Sequence, residues 1–242
     1  MATRERLDQA LVRRGLCESR EKARRLILAG RVRVDSQRRD KPSHSVGPDA
    51  CLEMDELPLY VSRGGFKLAG ALDHFAIDPR GWVCLDIGAS TGGFTDCLLK
   101  RGAERVHSFD VGTNQLAWKI RSDDRVRARE KFNARYLKPE DVGEPVRLIV
   151  IDVSFISLSL ILPPLWSVLE PGGSVVCLIK PQFELAREEV GKGGIVKEEH
   201  LREKAVTRIR HCVEEEGRLW KGVVPSDIQG MEGNQEYLAW IQ

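Results

Sequence analysis

The stretch LDIGASTGGFTDCLL (Leu85–Leu99) decides the fold. Its first residues complete GWVCLDIG (81–88), an apolar run that reads as a buried strand. Its last residues open a helix pattern over 94–101. Between them stand Gly88, Gly92 and Gly93, which let the backbone approach a ligand closely. The spacing is D-x-G-x-x-x-G-G. It is not the G-x-G-x-x-G of dinucleotide loops, because position 90 is Ser.

Outward from this loop, strand and helix patterns alternate. Further strands are expected at 105–112, 125–130, 147–153, 173–180, 218–226 and 236–242, and helices at 66–75, 94–101, 115–121, 157–169 and 199–216. Such alternation makes an α/β fold with a largely parallel sheet. Ligands of open α/β sheets bind beyond the carboxyl ends of the strands. Four expected strands here end in a charged group: Asp86, Asp110, Asp152 and Lys180. One such residue would be a turn or capping group, whereas four at one edge make a site. Lysine is almost never left in a core without a partner, so Lys180 in SVVCLIKPQFE (174–184) points to that site as well.

The glycine spacing favours S-adenosylmethionine, with Asp86 facing its charged methionine portion. Asp110 lies 22 residues after Gly88, where an acid can take both ribose hydroxyls. The expected cofactor contacts are Asp86, Gly88, Ser90, Thr91, Gly92, Gly93 and Phe94 of the loop, Asp110 and Val111 after the next strand, Asn133 and Ala134 of FNAR (132–135), and Asp152. The loop EEVGKGGIVK (188–197) lies near the same edge and reads either as an RNA clamp or as a plain loop. The six cysteines and five histidines show no metal spacing, so no metal is expected. Scattered cysteines without a CxxC fit a reducing, cytoplasmic compartment. Cys84 and Cys177 read as small core residues. The apolar run 148–162 carries Asp152 and is followed by two prolines, which argues against a membrane span. The N-terminus lacks the apolar segment of a secretory signal.

The chain of 242 residues is nearly neutral at +2, but the charge is uneven. Residues 1–42 hold 13 Lys/Arg against 6 Asp/Glu, a net of +7, which leaves −5 for the rest. A helix over 4–15 buries Leu7, Ala10 and Leu11. Ser19 caps a second helix whose inward stripe is Ala23, Leu26 and Ile27, with Gly30 at its end. RVRVDSQ (31–37) alternates as a half-exposed strand. The outward residues are mainly Arg. Such charge on one helix would be a solvated face, but shared by three elements it points to a nucleic-acid surface, with Arg4, Arg6, Arg20, Lys22, Arg31, Arg33 and Lys41 as contacts. The apolar link LPLYVS (57–62) joins this head to the body.

The head, in RLDQALVRRGLCESREKARRLILAGRVRVDS, resembles the small α+β (αL-type) RNA-binding module named after ribosomal small-subunit protein four. In the body, SRGGFKL, DIGASTGGFTD, DVGTNQLAWKIR, FNAR, DVSFISL, KPQFE, GKGGIV and GNQEYLAWI together resemble the haemolysin A (TlyA-type) ribosomal RNA ribose methyltransferases. The resemblance implies an RNA-binding domain over 1–60 and an FtsJ-like, Rossmann-like methyltransferase sheet over 61–242. It implies S-adenosylmethionine as cofactor and methylation of a cytidine 2′-hydroxyl in rRNA of the bacterial ribosome. It also implies a Lys-Asp-Lys-Glu tetrad, which falls on Lys67, Asp152, Lys180 and Glu236. The partners implied are ribosomal RNA and ribosomal subunits; the sequence offers no membrane-spanning segment, and it leaves the oligomeric state open, with a monomer the expectation. Some family members extend beyond EYLAWIQ, so the end of this chain suggests a narrower target, the large subunit, with the small subunit left open as a second substrate. The competing readings are a nucleotide-dependent oxidoreductase, a ribosome-assembly factor without catalysis, and a membrane-acting haemolysin.

Overall fold

A computed structural model of the chain describes residues 4–55, 58–230 and 232–242. Of the link expected at 57–62, Leu57 lies outside them. The chain divides into two compact units, Met1–Leu59 and Tyr60–Gln242.

The first unit runs β1 (Glu5–Arg6), α1 (Leu7–Arg13), α2 (Arg20–Leu28), β2 (Val32–Val34), β3 (Gln37–Arg39), β4 (Ser45–Val46) and β5 (Leu52–Met54). Leu7, Leu11, Ala23, Ile27, Val32 and Val34 form its core. Ser19 caps α2 by accepting from Lys22 N. The helix expected from residue 4 starts at Leu7, because Glu5 and Arg6 pair instead with Val46 and Ser45. The strand expected over 31–37 stops at Val34. Asp35 and Ser36 take positive φ (50° and 65°), the two-residue turn that suits the right-handed twist of a hairpin, and β3 returns along β2.

The second unit begins with α3 (Arg63–His74), followed by β6 (Val83–Ile87), α4 (Gly93–Lys100), β7 (Arg105–Phe109), α5 (Trp118–Arg121), β8 (Val126–Arg129), α6 (Pro139–Val142), β9 (Val146–Ile151), α7 (Leu162–Leu165), β10 (Leu169–Ile179), α8 (Pro181–Glu184), α9 (Glu199–Glu215), β11 (Trp220–Pro225) and β12 (Tyr237–Ile241). One seven-stranded sheet has the order β11-β12-β10-β9-β6-β7-β8. β8, β7, β6, β9 and β10 are parallel, and β12 runs antiparallel to both its neighbours. After β8 the chain crosses back to the other side of β6, so the carboxyl ends of β6 and β9 flank the switch point where such sheets bind ligands.

Strand parity divides the core. Leu85, Ile87, Ile149 and Ile151 face α9, whose Ile209 and Val213 cover them. Cys84, Leu148, Val150 and Leu178 face α3 and α4. Cys84 and Cys177 are both fully buried. Among the described residues no helix is long and apolar enough to cross a membrane.

Two expected helices shrink. The pattern over 115–121 yields only the single turn α5. The pattern over 157–169 breaks into a 3-10 turn (Leu158–Leu160) and the short α7. Pro163 and Pro164 lack the N–H groups a helix interior needs and fit only the first turn. Leu169 and the residues after it then join β10, with an irregular register before Ser174.

Candidate active site

A cleft of ≈ 720 Å³ opens at the carboxyl edge of the sheet. The glycine loop forms one wall. Gly88 takes φ +82°, and a Cβ on it would lie 2.3 Å from the Asp152 carbonyl, so only glycine lets the ends of β6 and β9 meet here. Gly93 is also tight, since a Cβ would lie 2.9 Å from the backbone N of Gly65 in α3. Gly88, Ser90, Thr91, Gly93 and Phe94 all line the cleft. Gly92, at φ +96°, packs against Leu116 instead.

The cleft also holds two lysine–carboxylate pairs. Lys180, directly after β10, has Nζ 2.6 Å from Asp152 Oδ1 and donates to Ser154 Oγ at 2.9 Å. Lys67 on α3 donates to Glu236 Oε2, and their side chains are only 8% and 4% exposed. The partners are thus Asp152 with Lys180 and Glu236 with Lys67. Lys67 is not on the helix surface, and Glu236 is not an edge charge, because β12 lies between β10 and β11.

Asp110 accepts from Ser90 N and Gly112 N, each at 2.7 Å, and so ties the glycine loop to the turn after β7. Each oxygen keeps a lone pair for a ligand hydroxyl. Val111 is exposed, Asn133 turns its Oδ1 to Arg135 N, and Ala134 is buried. None of these three lines the cleft.

Asp86 does not end its strand. It lies inside β6, paired across to Ser108 and Val150, and is fully buried. Thr95 Oγ1 donates to its Oδ2 at 2.6 Å, while Oδ1 is buried without a partner. Burial pushes the carboxyl up to about 7, although the Thr95 hydroxyl opposes it; the charges of Asp152 and Asp110 add to the rise. Between pH ~4 and ~7 the unfolded chain releases this proton and the folded chain keeps it, so this group's contribution to stability declines across that window. Asp86→Asn is never ionised. Its melting temperature should gain on the wild type as pH rises from 4 to 7, by the equivalent of about 1–3 kcal/mol. A difference that does not vary with pH would mean that Asp86 is ionised throughout.

Two side chains that carry no strand-end signal also shape the site. Glu184, at the end of α8 and 2% exposed, accepts from Ser157 Oγ and from Leu158 N. Ser154 supplies the second acceptor for Lys180. Glu184 closes KPQFE, but nothing in that string shows that its carboxylate reaches back 26 residues.

In the head, Asp8 is fully buried and holds both Arg6 (3.0 Å) and Arg20 (2.9 Å). Burial raises the Asp8 carboxyl, but the two guanidiniums outweigh it and leave it below its ordinary value. Arg6 and Arg20 therefore hold the fold together as well as presenting charge. Arg4 bonds Ser45, Lys22 pairs with Glu18, and Arg33 pairs with Asp55. Arg31 and Lys41 form no ion pair among the described residues, nor do the exposed Arg24 and Arg25, which were not among the expected contacts.

The FtsJ-like methyltransferase family model matches residues 60–242, and the S4 domain model matches residues 5–50. The 16S/23S rRNA (cytidine-2′-O)-methyltransferase TlyA of Mycobacterium tuberculosis is 46% identical over 244 residues, covering 100% of this chain and 91% of that protein. A structure described as a hemolysin from Streptococcus thermophilus aligns with TM-score 0.75 and 45% identity, over 100% of this chain and 89% of that one. Aeropyrum pernix fibrillarin, solved with S-adenosyl-L-methionine, shares the fold at TM-score 0.53 and 16% identity, over 88% of this chain and 94% of that one.

Proposed function

The chain belongs to the FtsJ-like methyltransferase family and carries an S4 domain, and from that premise we propose that it methylates a cytidine 2′-hydroxyl of bacterial ribosomal RNA with S-adenosylmethionine. The observation that carries this reading is the meeting of Lys180–Asp152 and Lys67–Glu236 in one cleft beside the glycine loop. Such a substrate would keep the enzyme with the ribosomes, in the cytoplasm.

The residues fit the cofactor. The backbone of Gly88–Thr91 lines the cleft, and Asp110, which lines a pocket sharing Ala89 and Ser90 with it, offers lone pairs suited to ribose hydroxyls. S-adenosylmethionine, when bound, supplies a methyl group on a cationic sulfur. The protein must orient a ribose hydroxyl and take its proton, since that hydroxyl is a weak nucleophile at neutral pH. Lys180 in its neutral form accepts the proton and later returns it to solvent. Asp152 fixes the amine and stabilises the ammonium that forms. Lys67, paired with Glu236, places a cation where negative charge develops on the attacking oxygen. Phe155, 90% exposed at the cleft, offers a flat apolar face to a nucleobase.

Separate incubation of small and large ribosomal subunits with the protein and methyl-labelled S-adenosylmethionine tests the reading and assigns the subunit. Label in at least one is expected, and label in neither would overturn the reading.

The head supplies affinity through phosphate contacts. Arg31→Glu combined with Lys41→Glu, which disturbs no ion pair, should weaken rRNA binding and flatten its salt dependence by a slope of about 2. S-adenosylmethionine affinity should be unchanged. Wild-type RNA affinity in the double variant would place the docking surface elsewhere.

A further inference from the structure

The turn that bears Lys180 and the loop after β9 brace each other at two points. Lys180 Nζ reaches back to Asp152 and Ser154, and Glu184, four residues on, holds Ser157 and Leu158. Between the braces Phe155 sits at φ +65°, a conformation that a bulky residue keeps only where its surroundings over-determine it. Asp152 is fixed in turn by its N–H to Ile87 O at 2.9 Å. Ser154 is thus an exposed hydroxyl on a rigid segment, and its Oγ meets the nitrogen read above as the base.

We infer that Ser154 is a positioning residue that aims the lone pair of Lys180 at the substrate hydroxyl, an inference that rests on the reading of Lys180 as the base. A neutral amine carries two N–H bonds and one lone pair at fixed tetrahedral angles. Asp152 and Ser154 each take one N–H, so the lone pair is left the third position and rotation about Cε–Nζ stops. With Asp152 alone, the lone pair and the second N–H exchange places, and only one arrangement can accept the proton. Lys67 lacks this device, since Glu236 is its only side-chain partner among the described residues. The lysine with two acceptors is the one built to hold a direction when neutral. The lysine with one buried carboxylate has no second acceptor to fix such a direction.

Single-turnover methyl transfer to rRNA tests this with the full chain and Ser154→Ala, Ser154→Thr, Lys180→Ala and the Ser154→Ala/Lys180→Ala double variant. Ser154→Ala should be slower by about tenfold, the scale of one lost hydrogen bond, with cofactor affinity, RNA affinity and melting temperature unchanged. Ser154→Thr should restore most of the rate. Adding Ser154→Ala to Lys180→Ala should slow the reaction no further, because the hydroxyl acts through the amine. A wild-type rate in Ser154→Ala, or the same tenfold loss with Lys180 already absent, would overturn the inference while leaving the base assignment standing. A wild-type rate in Lys180→Ala alone would remove the base assignment and the inference with it.

Discussion

Lys180→Ala should transfer methyl slower by a factor of about 100 or more, with S-adenosylmethionine and RNA still bound, the usual scale for a lost general base. Lys180 lies after β10, whose final seven residues are almost wholly buried, so the backbone that places it does not depend on its side chain. Removing the amine leaves Asp152 with water rather than a buried void, since that carboxylate is 25% exposed. Binding and fold should therefore survive while the chemical step does not. Lys180→Arg sharpens the test. A guanidinium keeps the positive charge and can still bond Asp152, but it does not release its proton. It should be as slow as alanine. An arginine variant with near-normal rate would reduce Lys180 to an electrostatic group, and the proton would have to leave by another route.

The second large effect concerns stability. Lys67→Met should destabilise the fold by about 3–5 kcal/mol, because it leaves the carboxylate of Glu236 buried without its cation. Glu236 is the more enclosed partner, at 4% side-chain exposure. Coupling Lys67→Met to Glu236→Leu should recover most of that loss, since paired apolar side chains of similar size often match a buried ion pair. Activity should not return. Urea unfolding of the single and double variants reads the first half, and single-turnover rates read the second. A single variant within about 1 kcal/mol of wild type would show that Glu236 finds water or a proton once Lys67 is gone.

Much of this site was legible because apolar strands make their last polar residue conspicuous. Asp110, Asp152 and Lys180 each follow directly on a strand of the parallel sheet, where the run of buried residues stops. Gly88 and Gly93 were legible for a related reason, as glycines at a strand-to-helix junction imply close backbone approach, and both prove to have no room for a Cβ. Lys67 and Glu236 carry no such local signal. Their pairing spans 169 residues, and neither a lysine on a helix pattern nor a glutamate before a strand announces a buried partner, so only the family pattern singled them out. Asp86 lay at an expected strand end yet sits inside β6, because pairing with β7 and β9 continues through Ile87. Apolar periodicity over 157–169 suggested one helix, but it could not weigh two prolines or the Glu184 carboxylate that holds the loop open. In the head, the reading of Arg as outward charge missed that Asp8, a buried acid in a basic helix, pairs with both Arg6 and Arg20, although their side chains stay 43% and 53% exposed.

On the proposed reading, the cleft methylates the ribose of a cytidine. Ribosomal RNA treated with the purified protein and S-adenosylmethionine, digested to nucleosides and resolved by mass spectrometry, tests it most directly. New 2′-O-methylcytidine should appear with the wild-type protein and be nearly absent with Lys180→Ala at the same incubation time. A methyl group on a base, or 2′-O-methylcytidine formed equally well without Lys180, would rule out ribose methylation through Lys180.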